Sequence, residues 1–445
     1  MKKVFEIEKK ISDDFFILKF FELETVFLIK VFPFRLWVLD ENYENLTIED
    51  LKDLDDDNYC DMGSITPLFI LTNNCNLACS YCYADEGSYG CDGTFMSSDI
   101  IRDTFDGLLL KYRENIIRNK PDVFNVNAVC FGGEPLLHVK GLEDVLYEQK
   151  RIAGVLQKEF PDVEIRVKQH INSNGYGITE KARKYLVNNK NQIEMVFSFD
   201  GINHDLYRKT KDGRNSAVEA LSSIKYYSEI GIDVSVTCCV QPNELNQFEE
   251  NIKYIFDVLP QNVAVNFSFL RGSLHFRDAS KQNKEYIYSE AEIIKMAEII
   301  AAYIKAGYNI YNRKFDQMQE RAFTYRCPAI GKKEFCVMPN GHTYPCHNFV
   351  DDKYSYGEVS VQSTYQMSNK VFDEYVKDRT IFDTKGCEEC CMKSICISSF
   401  DCPSHSMFDL GDIHLNDQII CKFGRIVQKE LLLNTVKTML NKSAE

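Results

Sequence analysis

The cysteine content constrains this chain more than any other feature of its sequence. There are 17 cysteines, and nine of them fall in the final 119 residues. An odd number cannot all pair within the chain, and the start MKKVFEIEKK lacks the apolar core of a secretory signal. Clustered thiols in a reducing compartment are typical ligands of zinc or of iron–sulfur clusters. We therefore expect the Cys-rich part of the chain to need metal in order to fold.

Charge and hydropathy exclude several classes of function. The chain has 445 residues and a formal net charge of -14, whereas an electrostatic binder of nucleic acid or anionic membrane carries a basic surface. No run of about 18 consecutive apolar residues is present, so no membrane-spanning helix is predicted. We expect a cytoplasmic protein of two or three domains, with neither nucleic acid nor membrane as a partner.

Apolar runs alternate with helix-like stretches through the middle of the chain. Six runs have the length and composition of strands: residues 68–71, 125–131, 165–171, 193–199, 232–240 and 263–269. Ser97 or Ser98 can cap the helix after the first run. This alternation implies parallel strands with right-handed crossovers. Six units predict an α/β fold, an open partial (β/α)6 barrel resembling part of a TIM barrel, rather than a closed barrel of eight.

Three further segments flank the barrel. The predicted domains are an N-terminal α+β segment at 1–66, the barrel at 67–275, a helical bridge at 276–326, and a Cys-rich domain at 327–445 that ends in a helix over 419–440. The first segment has strand-like runs at 15–21 and 26–31. In the bridge, Ser289 and Glu292 form a capping box for a helix over 290–306.

The first cysteine cluster lies directly after the first predicted strand and reads Cys75-Asn-Leu-Ala-Cys79-Ser-Tyr-Cys82. Three thiolates in one short loop can hold three corners of a cubane cluster and leave the fourth iron open to a small-molecule chelate. The alternative is a structural zinc site, which needs four ligands and would be completed by Cys60 or Cys91.

Three polar motifs follow the next three predicted strands. They are Gly132-Gly133-Glu134-Pro135, Asn172-Ser173-Asn174-Gly175 and Ser198-Phe199-Asp200-Gly201. With the cysteine loop they share the carboxyl ends of parallel strands, where such folds place their sites. The glycines allow close approach of the backbone to a ligand, and Glu134 can accept a hydrogen bond from an ammonium group. Each motif alone also fits an ordinary turn.

The loop Cys-x3-Cys-x2-Cys, with the aromatic Tyr81 before its last cysteine, resembles the radical S-adenosylmethionine (SAM) superfamily. The resemblance implies a [4Fe-4S] cluster on the three cysteines and SAM on its open iron. It further implies SAM contacts from Tyr81, Gly132, Gly133, Glu134, Asn174 and Ser198. Arg208 and Arg214 are candidate partners of the SAM carboxylate, although a solvated surface position is the base-rate expectation for each.

The C-terminal cysteines resemble the SPASM extension, which holds two auxiliary iron–sulfur clusters in radical SAM enzymes that modify peptides and proteins. The likeness covers about residues 67–440. It implies one [4Fe-4S] cluster on Cys327, Cys346 and Cys402, with Cys336 as an optional fourth ligand, and another on Cys387, Cys390, Cys396 and Cys421. A five-residue gap before Cys402, where the family usually has three, weakens that assignment, and Cys391 competes with its neighbour. A zinc ribbon remains an alternative.

The other thiols are expected to pack as small hydrophobic side chains. They are Cys60, Cys91, Cys130, Cys238, Cys239 and Cys391. Of these six, Cys91 lies closest in sequence to the first cysteine cluster.

The run around Cys346 bears on the substrate. Sulfatase-maturing relatives have an aspartate directly after this cysteine, whereas this chain has His347. The run is more similar to RiPP maturases of the thioether-forming SCIFF-maturase type. The resemblance implies hydrogen abstraction from a ribosomally made precursor peptide with a leader, thioether formation, and a flavodoxin- or ferredoxin-like electron donor. The alternatives are a sulfatase-type protein maturase and a non-catalytic zinc-binding adaptor.

The N-terminal segment has two interpretations. Residues 15–21 could offer a sheet edge to which a leader peptide adds as a strand, or the segment simply packs against the barrel.

Overall fold

The structure is a computed structural model that describes most of the chain. The described residues are 4–23, 25–39, 43–54, 64–90, 92–269, 288–312, 315, 327–377, 379–380, 387, 389–396, 402, 404, 406 and 417–443. The chain forms two compact units. The first comprises Met1–Gly63, Tyr288–Cys327 and Asp378–Glu445, and the second comprises Ser64–Ile287 and Pro328–Lys377. The domain boundaries given above stay predictions.

The first unit begins with a four-stranded antiparallel sheet. Its strands, in spatial and chain order, are β1 (Phe5–Lys10), β2 (Phe15–Phe20), β3 (Thr25–Lys30) and β4 (Arg35–Leu39). Two short 3-10 helices follow, at Tyr43–Asn45 and Glu49–Leu54. Phe15, Ile17, Val26 and Leu28 share one buried core with Leu51. The two predicted strands are confirmed, but the prediction of an edge at residues 15–21 is wrong, because β2 lies between β1 and β3. Its buried apolar side chains reflect that inner position.

The second unit contains the six predicted parallel strands. They are β5 (Thr66–Ile70), β6 (Val123–Phe131), β7 (Glu164–Ser173), β8 (Ile193–Ser198), β9 (Asp233–Val240) and β10 (Ala264–Phe269). Each pairs in parallel with the next in chain order. On β6, alternate residues such as Phe124, Val126 and Ala128 are almost completely buried on one face, as the two-residue period of a strand requires. The prediction of a partial six-stranded parallel barrel is confirmed.

Helices connect these strands. They are α1 (Ser98–Asn119), α2 (Val139–Glu159), α3 (Glu180–Asn188), α4 (His204–Tyr207), α5 (Ala217–Glu229) and α6 (Phe248–Val258). The side chain of Ser97 accepts a hydrogen bond from the Ile100 N–H and so caps α1, as predicted. Tyr112 of α1 packs against Phe124 of β6 with ring centroids 5.3 Å apart, which buries the outer face of the sheet.

The C-terminal part of the chain contributes helices and strands to both units. The elements are α7 (Glu290–Lys305), β11 (Glu334–Val337), β12 (His342–Tyr344), β13 (Gly357–Glu358), α8 (Val361–Gln366), α9 (Lys370–Val376) and α10 (Gln418–Ser443). The Ser289–Glu292 capping box of α7 is confirmed. In the first unit, Lys305 of α7 and Lys437 of α10 both form ion pairs with Glu22. No helix among the described residues has the length and apolarity to cross a membrane.

The sheet of the second unit is larger than the sequence predicts. β11 pairs in parallel with β5, and β12 and β13 continue the sheet antiparallel beyond it. A seventh parallel strand therefore comes from the predicted Cys-rich domain. It pairs with the edge of β5 that six strand–helix repeats alone would leave unpaired.

Candidate active site

The cysteine loop follows β5 and is held against the segment at residues 207–210. The Ala78 N–H donates to the Lys209 carbonyl oxygen at 2.7 Å, and the Ser80 N–H donates to the Tyr207 carbonyl oxygen at 3.0 Å. These bonds fix the residues on both sides of Cys79, so the backbone of the loop is positioned by the protein itself.

Backbone N–H groups point at the sulfur atoms of predicted ligands. The Leu77 N–H donates to the Cys75 Sγ at 3.5 Å, and the Asn348 N–H donates to the Cys346 Sγ at 3.3 Å. In both cases the donor lies two residues after the cysteine. Hydrogen bonds of this kind favour the thiolate over the thiol and help set the reduction potential of an iron–sulfur cluster.

Burial disfavours the free thiolates of Cys75 and Cys79. It raises the pKa of the Cys75 thiol to about 12, with the Glu134 carboxylate adding to the effect. It raises the pKa of the Cys79 thiol to about 11, against the opposing charge of Arg208. Both thiols are therefore protonated near neutral pH when no metal is bound, and metal binding must release their protons.

The glycines of the Gly-Gly-Glu motif bring two backbone segments together. The Gly133 N–H donates to the Thr72 carbonyl oxygen at 2.8 Å, and the Glu134 N–H donates to the Asn74 carbonyl oxygen at 2.9 Å. Gly132 has φ +144°, and a Cβ there would lie 2.5 Å from the Thr72 carbonyl oxygen. The glycines are predicted to approach a ligand closely. In this structure their backbone closely approaches the segment after β5 that leads into the cysteine loop.

Replacement of Gly133 by alanine should therefore destabilise the site. The new Cβ would lie 2.3 Å from the Asn74 carbonyl oxygen, and relieving that overlap should cost about 1–3 kcal/mol of unfolding free energy. Gly154→Ala is the matched control, because nothing lies within 4 Å of its Cβ position in α2; it should stabilise the helix by up to about 1 kcal/mol. Chemical unfolding of both variants tests this, and equal effects in the two would contradict it.

The Glu134 carboxylate is buried and braces the carboxyl ends of two strands. It accepts hydrogen bonds from the Ser173 hydroxyl at 3.0 Å, the Asn174 N–H at 2.8 Å and the Leu136 N–H at 3.0 Å. Burial raises the pKa of Glu134 to about 7, although these three bonds oppose the rise. A carboxylate offers about four acceptor positions, so one is left for a further donor such as an ammonium group.

The other predicted SAM contacts lie around the same rim. The Asn174 side-chain N–H donates to the Cys75 Sγ at 3.8 Å and to the Asn76 Oδ1 at 2.8 Å. Ser198 is half-buried at the end of β8, opposite Thr237 of β9. The structure thus brings Asn174 to the cysteine loop and places Ser198 on the same edge of the sheet.

A buried ion pair beneath the cysteine loop was not predicted. The Arg208 Nε donates to the Asp200 Oδ2 at 2.7 Å, and the Tyr81 hydroxyl donates to the same carboxylate oxygen. The Arg208 guanidinium also lies 5.2 Å from the centre of the Tyr81 ring. The expectation of a solvated surface position is wrong for Arg208, whose side chain is 8% exposed. Its charge is stabilised by Asp200, which sequence spacing alone did not indicate.

Arg214 fits the surface expectation. Its side chain is 68% exposed and pairs with Asp212 at 2.8 Å. The two candidate arginines therefore have different roles in the fold.

Four C-terminal cysteines of the first unit share one environment. Burial is the main cause that raises the pKa of Cys390, and the charges of the nearby Cys396 and Cys421 raise it further. Arg425 interacts electrostatically with Cys421, Cys390 and Cys387 and hydrogen-bonds Cys421. These four cysteines therefore lie in one electrostatic neighbourhood, and their joint ligation of a cluster stays a prediction. Arg425 was missed, although it follows Cys421 by four residues on α10, a spacing that puts both side chains on one helix face.

Cys336 and Cys346 lie near the first site in the second unit. Cys336 is fully buried in an apolar cluster with Leu68, Ile70 and Met338. Both cysteines contribute to raising the pKa of Tyr83, for which burial is the main cause. Cys336 thus has the surroundings of a packed hydrophobic residue.

His347 lies between two aromatic rings of the site. Its ring centroid is 5.7 Å from that of Tyr83 and 5.2 Å from that of Phe131, which precedes the Gly-Gly-Glu motif. Its Nδ1 is buried without a hydrogen-bond partner among the described residues. Burial lowers the pKa of His347 to about 4, so its imidazole is neutral near pH 7.

The remaining cysteines differ in burial and in their position in the fold. Cys327 and Cys402 are half-buried and belong to the first unit. Cys130 and Cys238 are buried, and Cys239 is half-buried, within strands. Cys391 is buried beside Cys390, and Cys60 and Cys91 lie outside the described residues. Within the described part of the chain, no three His, Cys, Asp or Glu side chains form a group that could hold a metal ion.

Known proteins resemble this chain in sequence and in fold. Residues 69–255 match the model of the Radical SAM superfamily. A cysteine-type anaerobic sulfatase-maturating enzyme of Clostridium novyi is 21% identical over 366 residues, which are 79% of this chain and 90% of the relative.

Two solved structures show the same fold. The structure of native anSMEcpe with bound AdoMet and Cp18Cys peptide has a TM-score of 0.59 and 18% identity, and covers 84% of this chain and 99% of that one. Streptococcus suis SuiB bound to precursor peptide SuiA has a TM-score of 0.53 and 14% identity, and covers 92% and 99%. Residues 69–255 therefore form a Radical SAM superfamily domain, and the two solved structures, both under 25% identical, show that the chain shares their fold.

Proposed function

We propose that this enzyme is a peptide maturase that forms thioether crosslinks in a ribosomally made precursor. The observation that carries the proposal is the loop with Cys75, Cys79 and Cys82 at the carboxyl end of β5, joined by backbone hydrogen bonds to the Gly-Gly-Glu motif. Sites of parallel α/β folds lie at this edge.

The three loop cysteines are proposed to hold a [4Fe-4S] cluster. The N–H group aimed at Cys75 and the cation beside Cys79 both suit sulfur ligands that carry negative charge. When bound, the cluster and SAM supply a one-electron reductive cleavage that yields a 5′-deoxyadenosyl radical. The protein's own task is to orient SAM and substrate and to exclude water.

The SAM contacts are proposed on the same rim. The free acceptor position of Glu134, together with Gly132 and Gly133, is assigned to the methionine amino group, and Ser198 to the ribose or carboxylate. Asn174 supports the loop next to Cys75. The hydroxyl of Tyr81 already bonds Asp200, so its proposed contact is made by its ring or backbone.

Two auxiliary [4Fe-4S] clusters are proposed for the C-terminal cysteines. The shared environment of Cys387, Cys390, Cys396 and Cys421 supports one of them. The other is assigned to Cys327, Cys346 and Cys402. The apolar surroundings of Cys336 support a cluster that lacks this fourth ligand and leaves an iron for a substrate thiolate.

A peptide substrate is supported by the similar structures. SuiB was solved with its precursor peptide, and anSMEcpe with a peptide and AdoMet. His347 follows Cys346 where sulfatase maturases are expected to carry an aspartate, which favours a thioether-forming reaction over formylglycine formation. A flavodoxin- or ferredoxin-like protein is proposed as the electron donor.

A sulfatase-type maturase is the second candidate, because the Clostridium novyi relative carries that function in its name. To separate the two, the reconstituted enzyme is mixed anaerobically with SAM, a reductant and a Cys-containing peptide from any short open reading frame that neighbours its gene. Mass spectrometry should show a loss of about 2 Da per crosslink, the two hydrogens removed when a C–S bond forms. Free thiol labelling should fall in parallel. An unchanged peptide mass, together with SAM cleavage, would contradict the thioether proposal.

A further inference from the structure

One surface of the second unit combines positive charge, exposed apolar side chains and direct attachment to the cysteine loop. We define it by Ile202, Leu206, Lys209, Lys211 and Ser80, and call it the 202–211 surface. Leu206 is 65% exposed and Ile202 is 43% exposed. Ser80, Lys209 and Lys211 are also exposed. These apolar and basic side chains all lie within ten residues of the chain and are accessible to a partner.

The charge of this surface is opposite to that of the chain. The protein has a net charge of -14, yet neither Lys209 nor Lys211 forms an ion pair with any described residue. The nearby carboxylates are engaged: Asp212 pairs with Arg214 at 2.8 Å, and Asp205 accepts the N–H groups of Ser216 and Ala217, both at 2.8 Å. Among the described residues these two cations have no carboxylate partner, which suits them to a partner with negative charge.

The surface is continuous with the loop that carries Cys79. The Lys209 carbonyl oxygen accepts the Ala78 N–H, and the Tyr207 carbonyl oxygen accepts the Ser80 N–H. Leu77 and Thr210 also form a β-bridge. Ala78 and Ser80 are the covalent neighbours of Cys79, so one hydrogen bond and a few covalent bonds join the surface to a proposed cluster ligand.

We propose that the 202–211 surface docks an acidic electron carrier of the flavodoxin type. This inference rests on the proposed function, which requires one electron at the cysteine loop. In the step, the anionic flavin hydroquinone loses one electron and becomes the neutral semiquinone, while the enzyme gains that electron and no proton crosses the interface. The lysines attract and orient the carrier, and Leu206 and Ile202 provide apolar contact.

The test uses full-length reconstituted enzyme and a purified flavodoxin. Lys209→Glu/Lys211→Glu reverses both charges but keeps the backbone carbonyl that holds the loop. Its affinity for flavodoxin, measured by titration calorimetry at low salt, should fall roughly 10- to 100-fold. Lys150→Glu/Lys158→Glu on α2 makes the same change in net charge elsewhere and should bind as the wild type does. Added salt should weaken the wild-type complex and have little effect on the 209/211 variant.

Cluster reduction gives the second measurement. The 209/211 variant should be reduced slowly by flavodoxin hydroquinone but at the wild-type rate by dithionite. Equal flavodoxin affinity in the two double variants would overturn the inference, as would a surface that binds the precursor peptide or a ferredoxin in its place. A wild-type enzyme that fails to cleave SAM with dithionite would instead overturn the proposed function, and the calorimetric comparison would still decide the docking surface.

Discussion

Replacement of Cys75, Cys79 and Cys82 together by alanine is expected to abolish SAM cleavage completely. The three thiols are the proposed protein ligands of the cluster that binds SAM, and none of them is part of the C-terminal cysteine groups. The iron content of anaerobically reconstituted enzyme should fall from about 12 to about 8 per chain, since each cubane holds four irons. Measurement of 5′-deoxyadenosine by chromatography and of iron by a colorimetric assay checks both effects.

The matched control removes three other cysteines. Cys130, Cys238 and Cys239 lie in β6 and β9, and none is a proposed ligand. Their replacement by serine or alanine should leave both the iron content and the SAM-dependent change of the cluster spectrum in place. Persistence of SAM cleavage in the first triple variant would contradict the assignment of the site, and zinc in place of iron in the wild type would support the adaptor alternative.

The second large effect is expected for Arg208→Ala. This change leaves Asp200, which is 1% exposed, without its ionic partner. A buried carboxylate that loses its partner typically costs about 3–5 kcal/mol. The Tyr81 side chain bonds the same carboxylate and packs on the lost guanidinium, so the cysteine loop should loosen as well. Urea unfolding should show a clearly lower midpoint, with reduced iron incorporation.

Arg214→Ala is the control for this experiment. Its pair with Asp212 is exposed on both sides, and such pairs contribute little to stability. The unfolding midpoint of that variant should stay close to that of the wild type. Similar losses in the two variants would contradict the structural role of the Asp200–Arg208 pair.

The parallel core was predictable because its signals are local. Six short apolar runs separated by helical spacing indicate β5–β10, and the caps at Ser97 and Ser289 are side chains that follow known rules. The cysteine loop and the Gly-Gly-Glu motif were also recognisable, since their residue types are demanded by chemistry at strand ends. The joint position of these motifs on one edge follows from the parallel order of the strands.

Features that depend on distant contacts were not predictable in the same way. The ion pair of Arg208 and Asp200 joins a strand end to a loop, and no periodicity indicates that an arginine in a charged segment will be buried. The inner position of β2 depends on β1, a six-residue strand that the sequence analysis did not identify. β11 was missed because four residues among cysteines and glycines give too short a pattern to identify as a strand.

The pairing of β11 with β5 also bears on how the protein is made in the cell. Thr66 lies beside Glu334 and Phe69 beside Val337, so partners in this ladder are 268 residues apart in sequence. During translation, β5 and the thiols that follow it leave the ribosome long before their neighbour exists. Until then one side of β5 is an unpaired strand edge, which invites wrong pairing, and closing so long a loop is slow. The parallel sheet around β5 can therefore be completed only after residue 337 has emerged from the ribosome.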